Sequence, residues 1–519
     1  MGVNADVRTA GFVGGNPRSL RFIMTLPPLD GLSRISDGAC AALRARLRAA
    51  GFDQALVAEA DAYLPGVLRK PRLPLLRYWL EQRPEPGAAI ARLFVFEDTL
   101  PEIAARDALG PELFSNLVDA SVIERATDGT VSARFLLSPA EAGVFVLSDP
   151  LDGGRNVAMG PGGGTEHLAR LVPDAFLGTA LDLGCGAGTL ALVAARRGAK
   201  RAVGVDLNPR AIELAKFNAR LNGLDAEFRV GDSIEPVASE RFDLVLSQPP
   251  FVGRPPEQEE RTFLFGGAMG DELGLRFLAA VPNVLAPGGR ALFLLQSAER
   301  AGEPLVTRVR KALGEANPNV LVLAGGGPTP ATQASVFASF EDPTFGDEYA
   351  RAARRYLEHF SKQGIVAFGG ALVVLSRPSV AFGDGRYALG LTLRSPHYDA
   401  ASLEAFLRGL DVLEAPSSFL EREALRISPH VRAAREVVES ESAPGNVEER
   451  IVLRIAQPGI GSDWAVAPAE LEVLSAIDRS ANVGEGLDAL ARAAPALAGV
   501  REELLGLVRN ALLRGALVR

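Results

Sequence analysis

The chain has 519 residues, 47% of them hydrophobic and 23% charged, with a formal net charge of -8. That length predicts two to four domains, and the ordinary apolar content, with no run long enough to span a bilayer, predicts a soluble globular protein. The acidic balance disfavours nucleic acid as main partner, since no cluster of five or six lysines and arginines offsets it. The four histidines and the two cysteines, Cys40 and Cys185, have no metal-ligand spacing, so no metal site is expected. The start, Met1-Gly2-Val3-Asn4-Ala5-Asp6, carries neither a basic cluster ahead of an apolar stretch nor a myristoylation signal, which predicts a cytoplasmic location.

Residues 1–150 are expected to form an N-terminal helical unit. An amphipathic helix around Ala41 to Ala50 stops at Gly51, and further helices are predicted near Leu75 to Gln82, from Pro101, and over Gly110 to Ala120. Val122 to Arg125 and Val131 to Leu137 then alternate about Asp128-Gly129, a common pair at a tight hairpin turn. Three helices and a hairpin suggest a winged helix. Its third helix carries Glu112 and Asp119 and no basic residue, which favours docking or substrate positioning over DNA reading.

Over 151–378, strand-like and helical runs alternate, the mark of an α/β doubly wound, Rossmann-like parallel sheet. Seven strands are predicted: Thr179 to Leu183, Arg201 to Asp206, Glu227 to Val230, Phe242 to Ser247, Gly289 to Leu295, Val320 to Ala324 and Ala371 to Ser376. Residues 379–463, punctuated by Pro396, Pro416, Pro429, Pro444 and Gly445, are expected to be an αβ extension. Residues 464–519 are expected to be a second winged-helix-like module, with amphipathic helices over Pro468 to Ile477, Gly484 to Ala493 and Val500 to Leu513 and a closing strand at Gly515 to Arg519.

The first predicted strand runs into Gly184-Cys185-Gly186-Ala187-Gly188-Thr189. A glycine turn between strand and helix lets a ligand approach backbone and helix N-terminus closely. The nicotinamide fingerprint would need glycine where Thr189 stands, so the match is to D-x-G-x-G-x-G. Asp206 ends the second strand, and Gly231-Asp232-Ser233 follows the third. On these residues the stretch from Met159 to Pro378 resembles the class I S-adenosylmethionine-dependent methyltransferases. The resemblance implies S-adenosylmethionine as cofactor, with Asp182, Gly184, Gly186 and Gly188 at its amino-acid end, Asp206 on the ribose, Asp232 on the adenine amine, and Ser233 beside it.

After the fourth strand comes Ser247-Gln248-Pro249-Pro250-Phe251. Two prolines remove donors and leave carbonyls, so this strand end presents acceptors at the edge where ligands bind in doubly wound sheets. It resembles the (Asn/Asp/Ser)-Pro-Pro-(Tyr/Phe/Trp) motif of nitrogen-alkylating methyltransferases. Leu264 to Leu275 looks like the matching region of the release-factor glutamine methyltransferases, with ribosomal guanine-N2 methyltransferases as other near relatives. The resemblance implies catalytic roles for Gln248 and Pro249 as acceptors gripping a nitrogen, and for Phe251 as a stacking surface. Gln248 departs from the usual Asn, and its extra methylene moves the carbonyl by roughly an ångström or more.

The expected activity is methyl transfer to an amide or heteroaromatic nitrogen of a peptide or small metabolite. RNA or DNA base methylation and small-molecule O- or C-methylation are the alternatives.

Overall fold

Apolar runs of four to six residues, buried on both sides, build the centre of the molecule. In the computed structural model, residues 26–65, 70–151, 154–256, 258, 261, 263–300, 302–316, 318–342, 344–377, 387–392, 399–439, 447–455 and 462–519 are described. Eight strands form one sheet: β1 (Thr179–Leu183), β2 (Arg201–Asp206), β3 (Glu227–Val230), β4 (Phe242–Ser247), β5 (Leu285–Arg300), β6 (Asn319–Ala324), β7 (Ile365–Ser376) and β8 (Ala388–Thr392). Their order is β8-β6-β7-β5-β4-β1-β2-β3. Strands β1 to β5 are parallel to one another, and β7 is antiparallel to both β5 and β6.

All seven predicted strands form. The eighth, β8, lies beyond the expected boundary at 378 and pairs in parallel with β6, Val320 opposite Ala388. Its short run Ala-Leu-Gly-Leu-Thr carries little local strand signal, and only a distant partner makes it a strand. The boundary at 378 lies outside the described residues, as do Pro396, Pro444 and Gly445.

Leu181, Val203, Val245 and Phe293 pack on one side of the sheet with helices α4 (Glu272–Ala280) and α5 (Leu305–Leu313). Ala180, Leu244, Leu246 and Leu292 pack on the other with α1 (Gly163–Arg170), α2 (Thr189–Arg196) and α3 (Pro209–Asn222). Double-sided burial explains why these strands read as continuous apolar runs rather than alternating ones. Strand β5 outruns β4: their shared register ends at Phe293 opposite Ser247, while β5 and β7 stay paired to Arg300 opposite Ile365. The projecting ribbon is backed by α6 (Pro330–Glu341) and α7 (Asp347–Lys362), whose Phe337, Tyr356 and Phe360 pack on Ala298, Ile365 and Phe368. It makes a wall beside the end of β4.

The N-terminal unit has helices over Asp37–Ala49, Gln54–Tyr63, Leu73–Glu81, Pro86–Phe94, Glu102–Leu109 and Pro111–Asp119. The segment expected as a single strand from Val131 to Leu137 divides. Thr130–Ala133 pairs with Ile123–Arg125, whereas Leu136–Ala140 pairs with Val144–Ser148. The first hairpin ends where the Arg134 N–H donates to Val122 and the chain leaves that sheet. The second hairpin is received by α3: the Asn222 amide exchanges hydrogen bonds with the Phe145 backbone, and the Asn218 amide with that of Leu147, so two side chains imitate a neighbouring strand.

In the C-terminal part, helices Pro468–Asp478, Val483–Ala493 and Arg501–Leu513 form where predicted. The expected boundary between 463 and 464 does not hold, because it falls inside the strand Ser462–Val466, which pairs with Val447–Ile455. Leu517–Val518 also reaches back to pair with Arg426–Ile427. Extension and tail are therefore interleaved. Arg290 of β5 anchors them to the sheet through two hydrogen bonds to Asp411, at 3.1 and 2.7 Å. No helix among the described residues is long and apolar enough to cross a membrane.

Candidate active site

Parallel strands place the loops after β1, β2, β3 and β4 on one edge, and β1 sits between β2 and β4 where the winding reverses. The glycine loop begins there. The N–H groups of Gly184 and Cys185 donate to the Val205 carbonyl at 2.8 and 3.0 Å, folding the chain back over β2. Gly188 adopts φ of +89°, and a Cβ there would lie 2.8 Å from Phe228 and 2.9 Å from Ala215. Only glycine fits that crossing.

Three acids hold the loop and its surroundings, in different ways. Asp182 is 2% exposed and its Oδ2 accepts from the N–H groups of Leu190 and Ala191, both at 3.1 Å, so it caps α2 from inside. Burial pushes its carboxyl up to about 7. Asp206 is half-buried; its Oδ2 accepts from the Gly186 N–H at 2.9 Å and its Oδ1 from the Asn208 N–H at 2.8 Å. Burial raises this carboxyl as well. Asp232 is brought beside β2 by the bond from the Gly231 N–H to the Asp206 carbonyl, 3.0 Å, but its carboxylate is gripped by Arg276 of α4 at 2.8 and 2.9 Å. Ser233 has φ of +51° and an Oγ that is buried without a hydrogen-bond partner.

The acceptor-rich strand end joins this group through Ser247, whose Oγ donates to the Leu183 carbonyl at 2.6 Å. Gln248 therefore emerges next to the glycine loop. Its Oε1 accepts from the Thr165 hydroxyl at 2.6 Å, and its amide nitrogen lies where a Cβ on Gly164 would come within 2.3 Å. No described residue donates to the Pro249 carbonyl. Phe251 is half-buried against the cluster that contains Val252, Leu264 and Phe265, so one part of its ring is committed to packing. The chain from Phe263 to Gly270 underlies this turn: Val252 N–H donates to the Leu264 carbonyl, and Cβ atoms on Gly266 and Gly270 would stand 2.3 Å from the Pro250 and Phe251 carbonyls.

The residues from Val157 to Thr165 fold over the same edge. The Ala187 N–H of the loop donates to the Met159 carbonyl at 2.9 Å. Asp149, fully buried, accepts from the Ala158 N–H at 2.9 Å and pairs with Arg210 at 2.6 Å. Next in line is Glu166 of α1, which accepts from Gln54 of the N-terminal unit; burial pushes its carboxyl up to about 7. Thr165 lies in a glycine-rich segment whose place before β1 already points to the pocket edge, whereas Asp149, Arg210 and Arg276 belong to no motif. The glycine run before Thr165 was the available signal for close backbone approach there; the others carry none, because their partners are remote in the chain.

A family model described as methyltransferase small domain matches residues 160–316. A Methanocaldococcus jannaschii protein provisionally named a protein N5-glutamine methyltransferase is 39% identical over 140 residues, covering 26% of this chain and 68% of that protein. The ribosomal protein L11 methyltransferase of Dechloromonas aromatica is 41% identical over 116 residues, 21% of this chain and 36% of its own. The release factor glutamine methyltransferase of Geobacter sulfurreducens is 34% identical over 134 residues, 24% of this chain and 46% of its own. The chain thus spans about two thirds of the first of these relatives and less than half of the other two. Among solved structures, the ribosomal protein L11 methylase of Lactobacillus delbrueckii has 16% identity and a TM-score of 0.24, over 40% of this chain and 74% of that one.

Proposed function

Because the chain belongs to the S-adenosylmethionine-dependent methyltransferases of the methyltransferase small-domain family, we propose that it methylates the nitrogen of a side-chain amide in a protein or peptide. When bound, the cofactor supplies an electrophilic methyl group on a sulfonium sulfur. The residues at the glycine loop fit it. Each Asp206 oxygen spends one lone pair on a backbone N–H and keeps another for a ribose hydroxyl. The buried Ser233 Oγ lacks a partner that a purine edge can supply. A Cβ at Gly186 would come within 2.8 Å of the Met159 carbonyl, so glycine lets the chain before α1 close directly over the loop crest. Asp182 serves through the loop it caps, and Asp232 faces the adenine side with Arg276 orienting it.

The observation that carries the acceptor assignment is the bond between Ser247 and Leu183, which holds Gln248 and Pro249 against the loop. An amide nitrogen is a poor nucleophile because its lone pair is delocalised. Two acceptors outside the amide plane, Gln248 Oε1 and the Pro249 carbonyl, can draw its hydrogens so that the lone pair turns toward the methyl. They supply orientation and stabilise charge forming on nitrogen. Phe251 offers the exposed part of its ring to the flat amide group.

A peptide substrate is supported by the names of the relatives, which act on glutamine or on a ribosomal protein, and by the net charge of -8. The order of helix, short strand, two helices and hairpin from Pro86 to Ala133 supports a winged-helix docking unit for it, with Glu112 and Asp119 on the last helix.

Incubation with methyl-labelled cofactor and separate peptide, RNA and small-molecule fractions of a cell extract tests the reading. Label should enter the peptide fraction and leave it as methylamine on acid hydrolysis, as an N-methyl amide requires. Label confined to RNA, or released by mild base as methanol, overturns it.

A further inference from the structure

The glutamine at 248 has one more methylene than the asparagine of the motif it resembles, and therefore one more torsion to immobilise before its carbonyl can grip anything. Two neighbouring residues at the start of α1 deal with that torsion. The Thr165 hydroxyl donates to Gln248 Oε1 at 2.6 Å, and the absent side chain of Gly164 leaves the space that the amide nitrogen occupies. Leu294 closes the same space from β5, 2.9 Å from where a Gly164 Cβ would stand. Its neighbour Phe293 pairs with Ser247, so the register of β5 and β4 sets Leu294 level with Gln248. We infer that Thr165 is a positioning residue for methyl transfer, holding the Gln248 side-chain carbonyl in its working direction, with Gly164 making room for it.

This inference rests on the acceptor role proposed for Gln248. A free glutamine side chain samples many rotamers, and ordering it during the reaction would raise the barrier. Contact with Thr165 orders it on folding. The carbonyl oxygen has two lone pairs, so accepting from Thr165 leaves one for a substrate N–H. The contact comes from a residue 83 positions away, on α1 and not in the glycine loop, so its effect can be read apart from cofactor binding.

The test is a double-mutant cycle on the full chain, reading transfer of label from saturating methyl-labelled cofactor into the peptide fraction of a cell extract, with calorimetric binding of S-adenosylhomocysteine as control. Thr165→Val should slow transfer about tenfold, the scale of one hydrogen bond lost at a pre-organised site, with product affinity unchanged. Thr165→Ser, which keeps the hydroxyl, should restore the rate to within about twofold. Gly164→Ala should slow transfer by a similar factor by pushing the amide aside. In a Gln248→Ala background, Thr165→Val should cost less than about twofold more, since nothing remains to position. A wild-type rate for Thr165→Val, or an equal loss in both backgrounds, overturns the positioning role and leaves that of Gln248 standing. A wild-type rate for Gln248→Ala itself overturns the acceptor role beneath it.

Discussion

The two halves of the site are built by different means. Around the glycine loop, backbone groups do most of the holding: N–H groups of residues 184 to 188, 190 and 191 go to the Val205, Cys185 and Met159 carbonyls and to Asp182 and Asp206. At Gln248 the holding is done by side chains from distant segments, Thr165 of α1 and Leu294 of β5, against an amide that could turn. Backbone bonds in a strand-loop-helix unit tolerate little variation, whereas a side-chain niche can be refitted around a different residue. A glutamine at 248 is such a refitting, and it concerns only the acceptor half.

The contrast can be broken most decisively at Asp206. Asp206→Ala removes both acceptors proposed for a ribose and the anchors of Gly186 and Asn208, and should weaken S-adenosylhomocysteine binding by roughly a hundredfold or more while the circular dichroism spectrum stays that of the folded protein. Unchanged affinity in calorimetry would remove Asp206 from the cofactor half.

The counterpart in the other half is Gln248→Ala, expected to lower kcat by about a hundredfold with product affinity unaltered, as when one pre-organised contact is lost at a transition state. Gln248→Asn sharpens it. The shorter side chain should fall short of Thr165 and lose about tenfold in kcat, and if Asn matched Gln the niche would not be specific for the longer residue.

A smaller effect is expected on stability, where Glu166 joins the acceptor half to the N-terminal unit. Burial raises its carboxyl from an ordinary 4.5 to about 7, with repulsion from Glu141 adding to the rise and the bond from Gln54 opposing it. The folded chain therefore holds a proton there that the unfolded chain has released. The stability this provides is complete below about pH 4.5 and is lost as pH rises through about 7. Glu166→Gln, which can still accept from Gln54, should leave the melting temperature unchanged near pH 4.5 and raise it by about 2 to 4 °C at pH 8. A parallel pair of melting curves across that range would show that Glu166 titrates normally.

Much of this was legible in the chain. Thr179 to Leu183 followed by Gly184 to Gly188 is a strand, a turn and a helix start within a dozen residues, and each signal is local: an apolar run, glycines at positive φ, a small residue entering a helix. Asp206 and Asp232 were legible for the same reason, because parallel strands must end at one edge once the sheet is accepted. Where reading failed, the deciding contact was remote. Strand β8 exists through β6, the run from Val131 to Leu137 is divided between two hairpins, and residue 463 lies inside a sheet closed across an interleaved extension and tail.

The sequence by itself thus determined the doubly wound sheet, the glycine loop and the acid after β2, since period, turn chemistry and strand ends are properties of contiguous residues. Tertiary structure alone decided which partner each side chain found. Arg210 reaches Asp149 across 61 positions, and Thr165 reaches Gln248 across 83. Such contacts form because packing of helices on the sheet excludes water and leaves buried polar groups to satisfy one another, and no pattern along the chain encodes which pair will meet.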